Sequence, residues 1–224
     1  MGRYDEDNFG GGAMTRQRDL VLSINEFCFL QSKTNGAIKT YTGPITMTIS
    51  AQEALVTFNP KTKQFEETAD FNKAKQLFVS APEGWYVVLK NPEKDNIHPE
   101  AGKASNSPNL VIGKKINISG PCSFSLYPGQ MAKVVQGHRL RSNQYLLARV
   151  YDAEAAEKGL ADATIVDAEG KVKDAKNEKY FVGQLLVIKG TEVSFYMPPT
   201  GIEVIPVSGR GTEYVRDAVT LERF

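Results

Sequence analysis

One pattern recurs three times along the chain and limits what the chain can fold into. A short strand-like run ends in glycine, at Gly43, Gly120 and Gly190, and a second run of alternating residues follows. In the first two copies the glycine is followed by proline, Pro44 or Pro121. Glycine inside a strand marks a bulge or a bend, and proline lacks the amide that a central ladder needs. We therefore predict that these five positions are structural bends, where one strand ends and the chain is redirected into the next.

The runs after the glycines alternate between apolar and polar residues, as in a strand that is buried on one face. The apolar positions predicted to be core strand residues are Ile45, Met47 and Ile49, then Cys122, Phe124 and Leu126, then Val193 and Phe195. In the third copy the apolar residues lie one position later relative to the glycine. A one-residue slip would turn the wrong face inward, so this copy is predicted to contain a local bulge.

Each copy also begins with an aromatic-led run (EFCFLQ, GWYVVLK, NQYLLARV) and ends with an apolar tail. This order predicts an all-β chain of tandem small antiparallel β-sheet repeat domains. The predicted boundaries are a flexible N-terminal arm at 1–18, repeats at 19–82, 83–137 and 138–207, and a further repeat or C-terminal extension beginning at 208–224. The third repeat carries a long hairpin insert.

Local signals refine this picture. Asn35-Gly36 predicts a two-residue hairpin turn, because both residues tolerate positive φ. A second turn is predicted at residues 167–170. The stretch DFNKAKQLF is read as a short helix or a linker, and residues 152–163 as part of an elongated hairpin with a short helical turn.

Composition excludes some classes of function. The 224 residues contain 27 Lys plus Arg and 26 Asp plus Glu, a net charge of +1, so there is no overall field to attract nucleic acid or an anionic membrane. No run of about 18 apolar residues predicts a transmembrane segment, and the first residues contain no apolar signal segment. A soluble, cytoplasmic protein is therefore expected.

Residues that could carry chemistry are few. The two histidines, His98 and His138, have no zinc-ligand spacing and are expected to be solvent-facing loop residues. Cys28 and Cys122 lie in apolar runs, where packing as small hydrophobes is favoured over nucleophilic catalysis, and a disulfide between them stays open. The basic stretch from His138 to Arg141 favours a solvated strand entry over a phosphate site. We predict no catalytic residue, no cofactor and no metal site.

The order of these elements resembles the N-terminal repeats of the major vault protein family. The matching segments are YTGPITMTI, SGPCSFSLYPGQMAKVV, NQYLLARVYD and GQLLVIKGTEVSFYMPPTGIEVIPV, and the resemblance covers roughly residues 20–207. It implies tandem β domains stacked end to end into an elongated subunit, and subunits that pack side by side as staves of a hollow ribonucleoprotein cage. We expect a bacterial or viral relative of that family, or a fragment of one.

These observations lead to three hypotheses about function. The first is a structural, self-assembling homo-oligomer that packs laterally into a shell or cage, with a possible protein cargo. The second is a non-enzymatic adaptor that binds a protein partner by strand addition, with residues 97–109 and 152–178 as contact loops. The third is a membrane-surface scaffold of the stomatin/prohibitin type.

Overall fold

The computed structural model describes residues 19–106, 109–159, 163–173, 179–205, 207–208, 215–216 and 218–220. Among these residues strands dominate, two short helices accompany them, and the strands form several small antiparallel sheets. The all-β prediction is confirmed. The predicted flexible arm at residues 1–18 lies outside the described residues, as does most of the predicted extension at 208–224.

One arrangement of five strands occurs three times, and we call its copies units 1, 2 and 3 and its strands a to e. Unit 1 consists of β1 (Asp19–Leu22), β2 (Glu26–Ser32), β3 (Ile38–Thr42), β4 (Ile45–Thr48) and β5 (Glu53–Asn59). It is followed by β6 (Gln64–Glu67), α1 (Phe71–Ala74) and β7 (Gln76–Leu77).

Unit 2 consists of β8 (Val79–Ala81), β9 (Trp85–Lys90), β11 (Lys115–Ser119), β12 (Cys122–Phe124) and β13 (Met131–Gln136), with β10 (Ala104–Asn106) between b and c. Unit 3 consists of β14 (His138–Arg139), β15 (Gln144–Val150), β18 (Leu185–Lys189), β19 (Val193–Met197) and β20 (Ile202–Val204). Between its strands b and c lie α2 (Ala153–Lys158), β16 (Thr164–Asp167) and β17 (Val172–Lys173). After it come β21 (Val207–Ser208), β22 (Val215–Arg216) and β23 (Ala218–Thr220).

The strand pairing is the same in all three units. Strand a pairs with d, and strand b pairs with both c and e, always antiparallel. Strand a of unit 2 lies before residue 83, so this unit begins earlier than the boundary predicted from the sequence. Each unit therefore encloses its own apolar cluster between a small a–d sheet and a b–c–e sheet.

Strand e differs between the units. In unit 2, β13 pairs along the whole of β9. In unit 1, β5 pairs with the second half of β2, while β7 pairs with its first residues. Unit 3 repeats the divided form, because β20 and β23 pair with different parts of β15. In units 1 and 3, therefore, two separate strands pair with strand b where unit 2 has one. These are also the units that contain or precede the hairpins β5–β6 and β21–β22.

The three bend glycines share one environment. A Cβ built on Gly43, Gly120 or Gly190 would lie 2.0, 2.2 or 1.8 Å from a backbone carbonyl oxygen in the turn between strands a and b. Each glycine amide donates a 2.8 Å hydrogen bond to the carbonyl of the first residue of strand b. In each unit the glycine lies between strands c and d, and both Gly-Pro bonds are cis. The structure adds the reason for glycine, which is close backbone approach.

Other local features follow the sequence signals with one difference. Asp70 caps α1 by accepting a 2.9 Å hydrogen bond from the Asn72 amide, and the turn at 167–170 closes with a 3.1 Å bond from Gly170 N–H to Asp167 C=O. The loop at Asn35-Gly36 spans five residues, 33–37, rather than the predicted two, because among these only Gly36 has positive φ.

Candidate assembly surfaces

In each unit one edge of strand c pairs with strand b, and we call the opposite edge its outer edge. The outer edge of strand c in unit 1 is covered by unit 2. The Thr40 hydroxyl, on a residue with no exposed surface, donates to the Leu126 carbonyl at 3.0 Å. The hydroxyls of Thr42 and Ser125 lie 3.2 Å apart. Strand β10 also pairs antiparallel with β3. The loop between d and e of unit 2 and a strand from its insert together cover this edge.

The outer edge of strand c in unit 2 is covered by unit 3. Asn117 uses its side-chain amide to donate to the carbonyls of Pro198 and Pro199, at 3.1 and 3.0 Å. Its backbone N–H donates to Thr200 Oγ1 at 2.9 Å, and the Tyr151 hydroxyl donates to the Lys115 carbonyl at 3.2 Å. The loop between strands d and e of the following unit is again the covering element.

The two junctions are equivalent in position. Thr40 and Asn117 are both the third residue before a bend glycine. Both donate a hydrogen bond to the third residue before the glycine of the covering loop, Leu126 or Pro198. The same contact is therefore made twice with different side chains. Sequence reasoning did not select Thr40 or Asn117, although their spacing to the glycines was visible.

Aromatic packing strengthens the first junction. Phe27, Phe29 and Val56 form a buried cluster on the outer face of the b–c–e sheet of unit 1, and Leu126 of unit 2 packs against it. The Phe29 ring makes edge-to-face contacts with Phe27 and Phe65, with centroid distances of 5.5 and 5.6 Å. Such pairs add to the hydrophobic gain from burial. This junction therefore combines its hydrogen bonds with a buried aromatic cluster.

Charged and polar groups dominate the second junction. Glu203 of unit 3 lies 2.7 Å from Lys115 Nζ of unit 2 and 2.5 Å from Arg149 Nη2. Burial alone would raise the pKa of Glu203, but the hydrogen bonds from Lys115 and Arg149 outweigh burial and lower that pKa below its ordinary value. Lys115 Nζ also lies 4.5 Å from the centre of the Tyr151 ring. This junction therefore carries a charge network at its edge.

An open cleft of about 500 Å³ lies at the second junction. Its polar lining includes Tyr86, Lys90, Lys115, Lys133, His138 and Glu203. The described residues lining it include no serine, threonine or cysteine, and the hydroxyl of Tyr86 lies 3.0 Å from His138 Nε2. The cleft therefore presents several cations beside this tyrosine–histidine pair.

The outer edge of strand c in unit 3, β18, differs from the other two. Among the described residues β18 pairs with β15 alone. The Val150 amide donates to Gln184 and Leu147 lies opposite Val187, so the alternation of an antiparallel ladder directs the backbone groups of Leu185 and Val187 away from β15. The side chains of Leu185 and Val187 are 62 % and 57 % exposed. Val187 is the third residue before Gly190, the position that Thr40 and Asn117 occupy relative to Gly43 and Gly120.

The structure places the predicted core strand residues as follows. Ile45, Met47 and Ile49 pack against the cluster of unit 1, Cys122, Phe124 and Leu126 belong to that of unit 2, and Val193 packs against that of unit 3. A register shift occurs where Val166 pairs with Phe195 and Asp167 with Val193. Beyond this shift Tyr196 is buried in the cluster. The Phe195 ring instead contacts unit 2, 2.2 Å from where a Cβ on Gly137 would lie.

The cysteines and histidines are held by packing. Both cysteines are free thiols, and burial raises the pKa of Cys28 to about 12, an inert thiol. The prediction of two solvent-facing histidines is wrong. His138 is buried against Tyr86, and His98 stacks on Phe124 with a centroid distance of 3.9 Å, where burial lowers its pKa. Sequence position in polar stretches gave no signal of this burial.

Within the described ranges no group of three or more His, Cys, Asp or Glu residues is placed to hold a metal ion. In the same ranges no helix has the length and apolarity needed to span a membrane. No family model and no curated protein sequence matches the chain.

Proposed function

We propose that this chain is a structural, non-enzymatic protein whose copies self-assemble, packing side by side as staves of a large shell or cage-like oligomer in the cytoplasm. The observation that carries the proposal is the threefold recurrence of one five-strand unit with equivalent junctions. Repeats of this kind contact mainly their neighbours along the chain, which leaves similar surfaces free along the sides. The resemblance to the vault repeats supports the same conclusion.

The proposed partner is a second copy of the chain, with a protein cargo as a further possibility. The nearly neutral net charge does not favour a nucleic-acid partner. Subunits that close into a ring use a heterologous interface, in which different patches meet and the rotation closes.

A concentration series tests this function. Mass photometry and light scattering of the purified chain should show species larger than the monomer, increasing with concentration, and negative-stain images should show regular particles. Monomers at every concentration, together with empty grids, would refute the proposal.

Within the described part of the chain β18 pairs with β15 alone, and its other edge favours a second candidate, an adaptor that captures an extended peptide by strand addition. If the chain is such an adaptor, we expect it to be a monomer that binds a defined partner. Hydrogen exchange should then slow at residues 185–189 when the partner is added. The insert at 97–109 is a poorer candidate contact than the sequence suggested, since residues 104–106 already pair with β3.

A further inference from the structure

We propose that two copies of this chain pair through β18, with the two strands antiparallel about a two-fold axis at Val187. The proposal deepens the function proposed above and rests on it for the choice of a second copy as the occupant of this edge. It concerns one surface, defined by Leu185, Val187 and Lys189, which we call the β18 edge.

The first step is that the equivalent edges of units 1 and 2 are both covered. Strand β10 pairs with the edge of β3, and Thr200 and Tyr151 bond to the edge of β11. Edge strands expose unpaired backbone groups that other chains can bind, and natural proteins cover or charge them. The β18 edge is uncovered among the described residues and carries two exposed apolar side chains.

The second step is that the side chains of the β18 edge do not suit a loop like those of units 2 and 3. Thr40 and Asn117 each donate a hydrogen bond to a loop carbonyl. Val187 stands at the same position and has no side-chain donor, so such a loop would bury a carbonyl without a partner, at a cost in free energy. The occupant must supply its own backbone hydrogen bonds and an apolar surface, which is what an extended strand does.

The third step is that β18 itself is such a strand. With the axis at Val187, Val187 of one copy faces Val187 of the second, and Leu185 faces Lys189, whose methylene stem covers apolar surface. Lys189 lies 3.4 Å from Glu192 of its own chain, which reduces the repulsion between the copies. The described sheet β18–β15–β20 would continue into its counterpart, and the contact would be isologous, the commonest form in dimers.

A cysteine substitution tests the geometry directly. Residues opposite each other in hydrogen-bonded antiparallel pairs have Cα atoms about 5.5 Å apart, within the range for a disulfide. Val187→Cys should give a covalent dimer under mild oxidation. Leu185→Cys and Lys189→Cys should each give no covalent dimer alone and should cross-link when mixed. Val172→Cys, at a 73 % exposed position on another strand, is the matched control and should not cross-link.

A charge substitution tests whether the contact forms in the natural chain. Val187→Lys places like charges opposite each other and should weaken the dimer by at least about tenfold in sedimentation velocity, whereas Val172→Lys should not. Circular dichroism of each variant checks that the fold is retained. Val187→Ala, which keeps the backbone and removes apolar surface, provides a second variant if the lysine variant fails to fold.

The outcomes separate this inference from the proposed function. Dimers or particles that persist in Val187→Lys, with no cross-link in Val187→Cys, would overturn the β18 pairing and leave self-assembly standing. Monomers in every variant and in the natural chain would overturn both. A natural chain that stays monomeric but is protected at 185–189 by a partner peptide would overturn the pairing in favour of the adaptor.

Discussion

The two junctions between the units use the same positions and different chemistry. At the first, Thr40 bonds to the covering loop beside a buried cluster of phenylalanines. At the second, Asn117 bonds to the equivalent loop beside the network of Lys115, Glu203 and Arg149. The comparison teaches that the backbone geometry of a unit fixes where its neighbour docks. The side chains around that point then decide how strongly the junction responds to salt and pH.

The largest expected effect tests the apolar character of the first junction. Phe29→Ala should lower the free energy of unfolding by about 3–5 kcal/mol, because a large buried ring is removed and a cavity is left. The effect should be the same at low and high salt in urea unfolding. Phe181→Ala, at an exposed ring, is the control and should be close to neutral. A salt-dependent loss would show that charges also hold the first junction.

A smaller loss is expected at the bends that both junctions depend on. Gly43→Ala and Gly120→Ala would each press a methyl group against a carbonyl oxygen, and overpacking of this kind costs about 1–3 kcal/mol or more. Gly159→Ala meets only ordinary contacts, the nearest at 3.5 Å, and serves as the control. Equal urea midpoints for Gly120→Ala and Gly159→Ala would contradict the close approach described here.

The residues three before the bend glycines allow a graded comparison. Asn117→Ala should cost about 1–3 kcal/mol, since carbonyls at the junction would lack a donor, and Thr40→Val about 1 kcal/mol. Val187→Ala should change stability by less than about 0.5 kcal/mol in dilute solution, because the side chain is 57 % exposed and none of the described strands pairs with that edge of β18. Hydrogen exchange at residues 200–202 should rise in Asn117→Ala alone. If it rises equally in Thr40→Val, the junctions are not independent.

The smallest expected effect concerns pH at the second junction. The folded-state pKa of Glu203 lies below the ordinary value of 4.5, so its contribution to stability is present above that value and disappears as the pH falls through the folded pKa. Glu203→Gln should therefore be less stable than the natural chain at neutral pH and approach it in acid. Urea unfolding between pH 7 and 3 measures this. A constant difference across that range would mean that the charge is not involved.

Much of the fold was predictable because its signals are local. Alternation around Met47 and Phe124 identified strands buried on one face, and the spacing of Gly43, Gly120 and Gly190 identified the recurrence. Strand a was missed, since two to four residues are too few to show a period. The reason for the glycines was also hidden, because it depends on a turn some 20 to 50 residues earlier in the chain.

The junctions were harder to predict from sequence. Thr40 and Asn117 lie on polar positions of alternating strands, and a pattern cannot distinguish a face that meets water from one that meets another unit. The pairing of β10 with β3 joins distant segments with little apolar content. Phe195 was predicted to be a core residue, yet the register shift beside it turns its ring toward unit 2.

The division of each junction into strand c of one unit and a loop of the next gives the chain a direction. At each junction strand c of one unit donates a hydrogen bond, and the loop between d and e of the next unit accepts it. The units therefore follow one another in a single direction. If subunits packed side by side in parallel, the two ends of the assembly would differ, and β18 would lie at one of them. Two copies related by a two-fold axis at β18 would be antiparallel. Such a contact would therefore join two assemblies of parallel subunits end to end and would not add subunits to either one.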